Sequence, residues 1–223
     1  NNEDFKKYLK NFGYSFKDTS KEKAGYIMLK DKKISFIMDI GNSVESKFSK
    51  KYQCGCLSFE ITSGENKMVC NSGFYSKKEN KLNLLSKSTA AHSTLYINDH
   101  SSCVLKKKSF KNTYETDIDT GLKIKSKTIK IDKDFDHIIA SHNGYQKRYG
   151  YTHEREIKFI KKEKKFIGKD TLIGNGKHTN TDFKIRFHLY PGVKMVKTQN
   201  SHTILISLEN GDGWKFNCLN YEL

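Results

Sequence analysis

The residues best placed to do chemistry lie in KLNLLSKSTAAHSTLYIND, Lys81 to Asp99. A run of Ser, Thr and Ala leads into one histidine, His92, and then into an alternating strand. The imidazole therefore stands at the mouth of a strand, where a sheet protein can present it to a ligand. A second concentration is SHNGYQKRYGYTHER, which holds His142, Tyr145 and Arg148 with Tyr149, Tyr151 and His153 nearby. Donors, a cation and stacking rings are the parts needed to hold a sugar carboxylate. The same segment also reads as an ordinary turn whose tyrosines pack on the core. His188, between Phe187 and Leu189, reads as a strand residue facing solvent or as a satisfied core histidine, and His92 taken alone fits that second description too.

Several chemistries have no signature. Gly174-Asn175-Gly176 lies in a turn with no helix pattern after it, so it is not a phosphate-cradling loop. HEREI, His153 to Ile157, lacks the second histidine of a metalloprotease helix and sits in a strand pattern. There is no nucleophile elbow, and nothing matches a nucleic-acid module. Five cysteines (Cys54, Cys56, Cys70, Cys103, Cys218) are spaced neither as a disulfide framework nor as a zinc ribbon. Cys54 and Cys56, two apart on a predicted strand, are expected to share a face as buried or half-buried free thiols.

The net charge of +16 suggests an anionic partner: nucleic acid, an anionic membrane or an acidic polysaccharide. Of 41 basic residues only Arg148, Arg155 and Arg186 are arginine. Lysine that fills exposed positions by compositional bias gives the same total. Readers of nucleic acid favour arginine for bidentate base and phosphate contacts, and its scarcity counts against that class. No apolar run approaches the ~20 residues of a membrane span. The start, NNEDFKKYLK, has no apolar core of a signal peptide.

The elements that must position these groups read as strands. Gly25 to Gly41 is a hairpin turning at Lys30-Asp31-Lys32-Lys33, and Cys54 to Tyr75 is a second around Ser63-Gly64-Glu65-Asn66. STLYIND is a strand ending at Asn-Asp, Lys123 to Asp132 is a half-exposed strand, and HIIASHNGY breaks at Asn143-Gly144. A long hairpin follows, with the lysine-rich run 161–165 as its solvated tip. The tail turns at Pro191-Gly192, Gln199-Asn200-Ser201 and Asn210 to Gly213. Only NEDFKKYLKNFG reads as helical, and weakly. The expected fold is all-β: a large antiparallel β-sandwich of a dozen or more strands over residues 25–223, after an N-terminal segment, 1–24, that is weakly helical or irregular. No internal repeat of fixed period is present.

Taken in order, these segments resemble the heparinase II/III family of polysaccharide lyases. SKSTAAHSTLYIND is similar to that family's Ser-Thr-Ala run before His-Asn/Ser-Thr-Leu. CLSFEITSGENKMVCNSGFY resembles its Leu-Ser-Phe-Glu hairpin followed by Val-Asp-Ser-Gly-x-Tyr, and HNGYQKRYGYTHERE its His-Asp-Gly-Tyr…His-x-Arg segment. KDTLIG, FKIRFHLYPGV and GDGWKF also fit, so the likeness runs from about Gly25 to Cys218, the C-terminal β-sandwich domain of the family.

The resemblance implies cleavage of uronic-acid polysaccharide by β-elimination. A base removes the C5 proton, the uronate carboxylate is neutralised, and an acid protonates the leaving oxygen. It implies His92 as the catalytic contribution of the sandwich and His142, Tyr145, Arg148 and Lys51 as substrate-binding residues. It also implies an acidic polysaccharide and the parent's N-terminal α/α toroid domain as partners, with no nucleic acid. The toroid, which supplies a catalytic tyrosine in the family, lies outside these 223 residues, so the chain alone is expected to lack a complete active site. The family's His-x-His-x-Asp stretch reads here Lys51-Tyr52-Gln53-Cys54-Gly55, and the Asp of Asp-Ser-Gly is Asn71. Gln53, Asn71 and His92 make a degenerate zinc site, because structural zinc takes about four N, S or carboxylate ligands. The expectation is no cofactor, or weak zinc at most. The alternative reading is a non-catalytic sandwich that binds acidic polysaccharide. The compartment, periplasmic or cytoplasmic, stays open.

Overall fold

The computed structural model describes residues 2–14, 22–107, 113–175, 181–199 and 202–218. The fold is all-β and antiparallel, with seventeen strands among the described residues. A six-stranded sheet runs β1 (Glu22–Lys23), β2 (Tyr26–Asp31), β3 (Ile34–Asp39), β4 (Phe59–Ser63), β5 (Asn66–Cys70) and β14 (His188–Leu189), each paired with the next. A four-stranded sheet is built from β9 (Ile124–Ile131), β10 (Phe135–His142), β11 (Thr152–Ile160) and β12 (Lys165–Ile173). Three smaller groups complete the chain. They pair β6 (Leu95–Ile97) with β13 (Phe183–Ile185), β7 (Val104–Lys107) with β8 (Thr116–Thr120), and β15 (Lys194–Lys197) through β16 (Thr203–Ser207) with β17 (Gly213–Asn217).

Period-two patterning explains the two larger sheets. Buried and half-buried residues alternate along β3 and along β11, so each strand gives one face to the core. Those faces meet in an aromatic stack. Phe36 packs on Phe59 at 5.4 Å and on Phe166 at 5.3 Å, and Phe166 lies on Phe159 at 4.4 Å. Phe36, Phe59 and Phe159 are buried and each stabilises the fold by about 1.5–3 kcal/mol, while Phe166 is partly buried against them. A smaller cluster of Leu95, Ile97, Tyr145 and Tyr149 lies beside it.

The structure departs from the sequence reading at four places. Residues 54–58 form no strand; this irregular segment buries Cys54, Cys56 and Leu57, so the two thiols do not share a strand face. Helical segments occur beyond the N-terminal one that alone read as helical: a 3-10 turn at Ser46–Lys51, helix α2 (Leu82–Lys87), and a 3-10 turn at Thr89–Ala91 just before His92. Asn143-Gly144 does not close a tight hairpin. The chain continues into helix α3 (Gln146–Tyr149), which ends at Gly150 with φ +79°. The tip at 161–165 is not wholly solvated, since Lys161 is only 16% exposed and pairs at 2.9 Å with the fully buried Asp136. The N-terminal helix is present as α1 (Asn2–Asn11). Of the predicted turn at Gln199-Asn200-Ser201, the last two residues lie outside the described residues.

Candidate functional site

The six-stranded sheet has one face in the core. Its other face floors a cleft of about 420 Å³. From the sheet come Tyr26, Ile37, Asp39 and Glu60; from the end of the first 3-10 turn and the segment after it come Lys51, Tyr52, Gln53, Gly55 and Ser58; Asn71, Gly73 and His92 close the end. Four positions singled out in the sequence, Lys51, Gln53, Asn71 and His92, therefore share one cleft although they span 42 residues of chain.

His92 is held rather than free. Its Nδ1 lies 2.8 Å from Ser88 O and its Nε2 3.1 Å from the Gln53 side-chain amide. A carbonyl can only accept, so Nδ1 carries the proton and Nε2 the lone pair, and the Gln53 amide must turn its NH₂ toward that lone pair. The ring is 2% exposed. Burial lowers its pKa to about 4, outweighing the Ser88 carbonyl, so the imidazole is neutral near neutral pH. Gly55 makes this placement possible, because a Cβ there would meet His92 Cδ2 at 2.7 Å. Asn71 is equally engaged: its Oδ1 accepts the Ser93 N–H at 2.8 Å, and its own N–H donates to Glu60 Oε1 at 3.1 Å. Lys51 ends the first 3-10 turn, is exposed, and lines the cleft.

The second candidate group is divided. His142 and Tyr145 are almost fully buried, and Arg148 is exposed on α3, away from the cleft lining. The Tyr145 hydroxyl donates to Leu95 O at 3.0 Å, which makes it a core tyrosine of the smaller cluster. His142 belongs to a proton-ordered chain: the Gly144 N–H donates to His142 Nδ1 at 3.0 Å, so His142 Nε2–H donates to His153 Nδ1 at 3.2 Å, and His153 Nε2–H donates to Asp170 Oδ1 at 2.7 Å. Burial pushes both histidines below their usual range. The Arg155 guanidinium grips Asp170 through Nε at 2.8 Å and Nη2 at 2.9 Å, and holds its carboxyl well below the usual carboxylate range against the opposing effect of burial. Arg155 Nη1 also donates to Leu57 O and Ser93 O, both at 2.8 Å. These carbonyls belong to the two segments that carry Gly55 and His92, so the buried network fixes the cleft wall from behind.

Sequence reading missed Tyr26, Asp39, Tyr52 and Glu60. For Tyr26, Asp39 and Glu60 the signal was present in the strand alternation; Tyr52 follows the 3-10 turn outside any strand and carried none. Tyr26 and Asp39 are cross-strand partners, as are Ile37 and Glu60, and their neighbours along each strand point to the core.

The chain matches the family described as "Heparinase II/III-like, C-terminal" over residues 16–223. It belongs to that family. Its fold is similar to that of the heparan sulfate lyase HepC from Pedobacter heparinus, at 19% identity and a TM-score of 0.68, and to a mutant of the same enzyme at 16% and 0.69; each match covers 97% of this chain and 32% of the other. It is also similar to a heparinase III, the BT4657 gene product with methylated lysines, at 16% identity and a TM-score of 0.66, over 96% of this chain and 30% of that one. At these identities the likeness is one of fold. The chain spans about a third of the length of each solved structure. No curated protein matches it in sequence. Among the described residues no helix is long and apolar enough to cross a membrane.

Proposed function

We propose that the chain is the sandwich part of a polysaccharide lyase that cleaves uronic-acid-containing polysaccharide by β-elimination, with an N-terminal α/α toroid completing the active site. One observation carries this reading: Lys51, Gln53, Asn71 and His92, matched to the family by sequence alone, converge on a single cleft. Lys51 is the cation for the uronate carboxylate, and His92 is the imidazole beside the reacting sugar. His142 and Tyr145 act from behind by shaping the wall, and Arg148 meets polysaccharide outside the cleft.

No resident metal is part of this proposal, and weak zinc is the upper bound. Among the described residues no group of three or more His, Cys, Asp or Glu side chains is placed to hold a metal ion. One imidazole nitrogen with two engaged amides is a poor donor set for zinc, and Gly55 contributes no ligand.

The second reading, a binding domain without catalysis, is favoured by the burial of His92 and the occupation of both its ring nitrogens. The full-length parent carrying His92→Ala separates the two. A role in proton transfer predicts a fall in turnover of about ten-fold or more with normal folding. Unchanged turnover removes His92 from the chemistry.

A further inference from the structure

Asp39 is a group on the cleft floor that neither the sequence motifs nor the fold likeness assigns. It ends β3 directly opposite Tyr26 on β2, so the two side chains rise from the same face of the sheet into the cleft. Its Oδ1 accepts the Gly41 N–H at 3.0 Å. No donor among the described residues is bonded to Oδ2, and no lysine or arginine among them forms an ion pair with the carboxylate. The titratable and charged groups that share the cleft with it or act on it are Tyr26 from β2, Glu60 from β4, Lys51 at the end of the 3-10 turn, Tyr52 just after it, Cys56 from the irregular stretch, and His92 at the cleft's end.

We infer that Asp39 is the cleft's proton-carrying residue: it takes up one proton from solvent as the carboxylate of an acidic sugar docks, and it donates the resulting O–H to that carboxylate. The inference rests on the reading above that the cleft receives an acidic polysaccharide. Desolvation already lifts the Asp39 carboxyl to about 6, against the Gly41 N–H that lowers it. A second carboxylate brought within hydrogen-bond reach raises it further, because two like charges at close range do not both stay ionised. The product is an O–H···O⁻ bond between one neutral and one ionised carboxyl, among the strongest hydrogen bonds open to a side chain. Total charge balances: one proton enters with the ligand and leaves with it. In an eliminase the same contact would draw charge from the uronate carboxylate, which the reaction requires.

The test is calorimetric titration of this chain with a glucuronate-containing hexasaccharide, and with its methyl ester, between about pH 5.5 and pH 7.5 in two buffers of different ionisation enthalpy. Expected is uptake of close to one proton at the upper pH and affinity that weakens by up to about ten-fold per pH unit above the Asp39 midpoint. Asp39→Asn, whose amide N–H donates at every pH, should hold the low-pH affinity at the upper pH, and the ester should show no pH dependence. An Asp39→Asn protein with the same pH slope as the unmutated chain overturns the inference and leaves the functional reading standing. No binding by either protein at any pH overturns that reading and the inference with it. A readout that needs no mutation is the carboxyl carbon NMR titration of Asp39: its midpoint must rise when the hexasaccharide is added, and an unmoved midpoint contradicts the inference.

Discussion

At the scale of single residues, charge burial separates the cleft's members. Asp39 is penalised for being ionised, and the sign of its effect on stability follows. Between its unfolded pKa near 4 and its folded value of about 6, the native state binds more protons than the unfolded chain, so its contribution falls as pH rises through that window. Asp39→Asn is therefore expected to stabilise the protein by about 1–2 kcal/mol at neutral pH, after allowance for partial exposure, and to change little below about pH 4. Urea unfolding at both pH values checks this; destabilisation at neutral pH would contradict the assigned environment. His92 behaves in the opposite way. The sequence marked it as a reactive imidazole by its position before a strand, and the position was legible. Its burial was not, because that depends on Gly55, 37 residues earlier, leaving room for the ring. Asp39 went unseen for a related reason: an acidic residue at a strand end looks like a solvated terminus until the partner strand and the cleft are in place.

At the scale of elements, period-two alternation made the long hairpins readable. β11 and β12 run from Thr152 to Ile173 around the turn that the lysine-rich run marked. What alternation could not reveal is which charged residue of a strand lies inward. Arg155 and Asp170 are direct cross-strand partners that face the core together, 1% and 9% exposed at their side chains. Removing one partner of a buried pair leaves the other charge uncompensated, so Asp170→Asn is expected to cost about 3–5 kcal/mol. It should also loosen the Leu57 and Ser93 carbonyls that Arg155 holds. Faster amide exchange at Ser93 and Thr94, beyond the global loss of stability, is the readout; exchange that changes only with global stability would show that the network does not brace the cleft. Lys161→Met poses the same question at the other end of the sheet. It strands the buried carboxylate of Asp136, and unfolding should become easier by a similar amount. A surface-like change below about 0.5 kcal/mol would restore the solvated-tip reading of the 161–165 run. The short helical turns before the cleft, Ser46–Lys51, Leu82–Lys87 and Thr89–Ala91, stayed hidden because none exceeds six residues, too few to show a helical period.

At the scale of the whole molecule, buried neutral histidines set the acid limit. His92, His142 and His153 all have folded pKa values below that of the free side chain. The unfolded chain therefore binds more protons below about pH 6.5, and stability is lost as pH falls from there. His92 alone contributes a loss of about 2–3 kcal/mol by about pH 4. Asp39 opposes this over part of the range, but three imidazoles and the depressed Asp170 carboxyl outweigh it, so net acid destabilisation is expected in pH-dependent urea melts. The family itself was readable before the structure, because it rests on the order of short segments along the chain. The division of labour is a larger matter. In the proposed function this part grips an acidic chain and another part of the parent supplies the rest of the chemistry; the cleft and the net charge of +16 support that division, and the chain spans about a third of the length of the solved lyase structures. The direct measurement is the ultraviolet absorbance of unsaturated uronate, followed with this chain and the full-length parent on the same panel of acidic polysaccharides. The account predicts absorbance growing with the parent and none with this chain alone. Product from this chain alone, or none from the parent on any substrate, would contradict it.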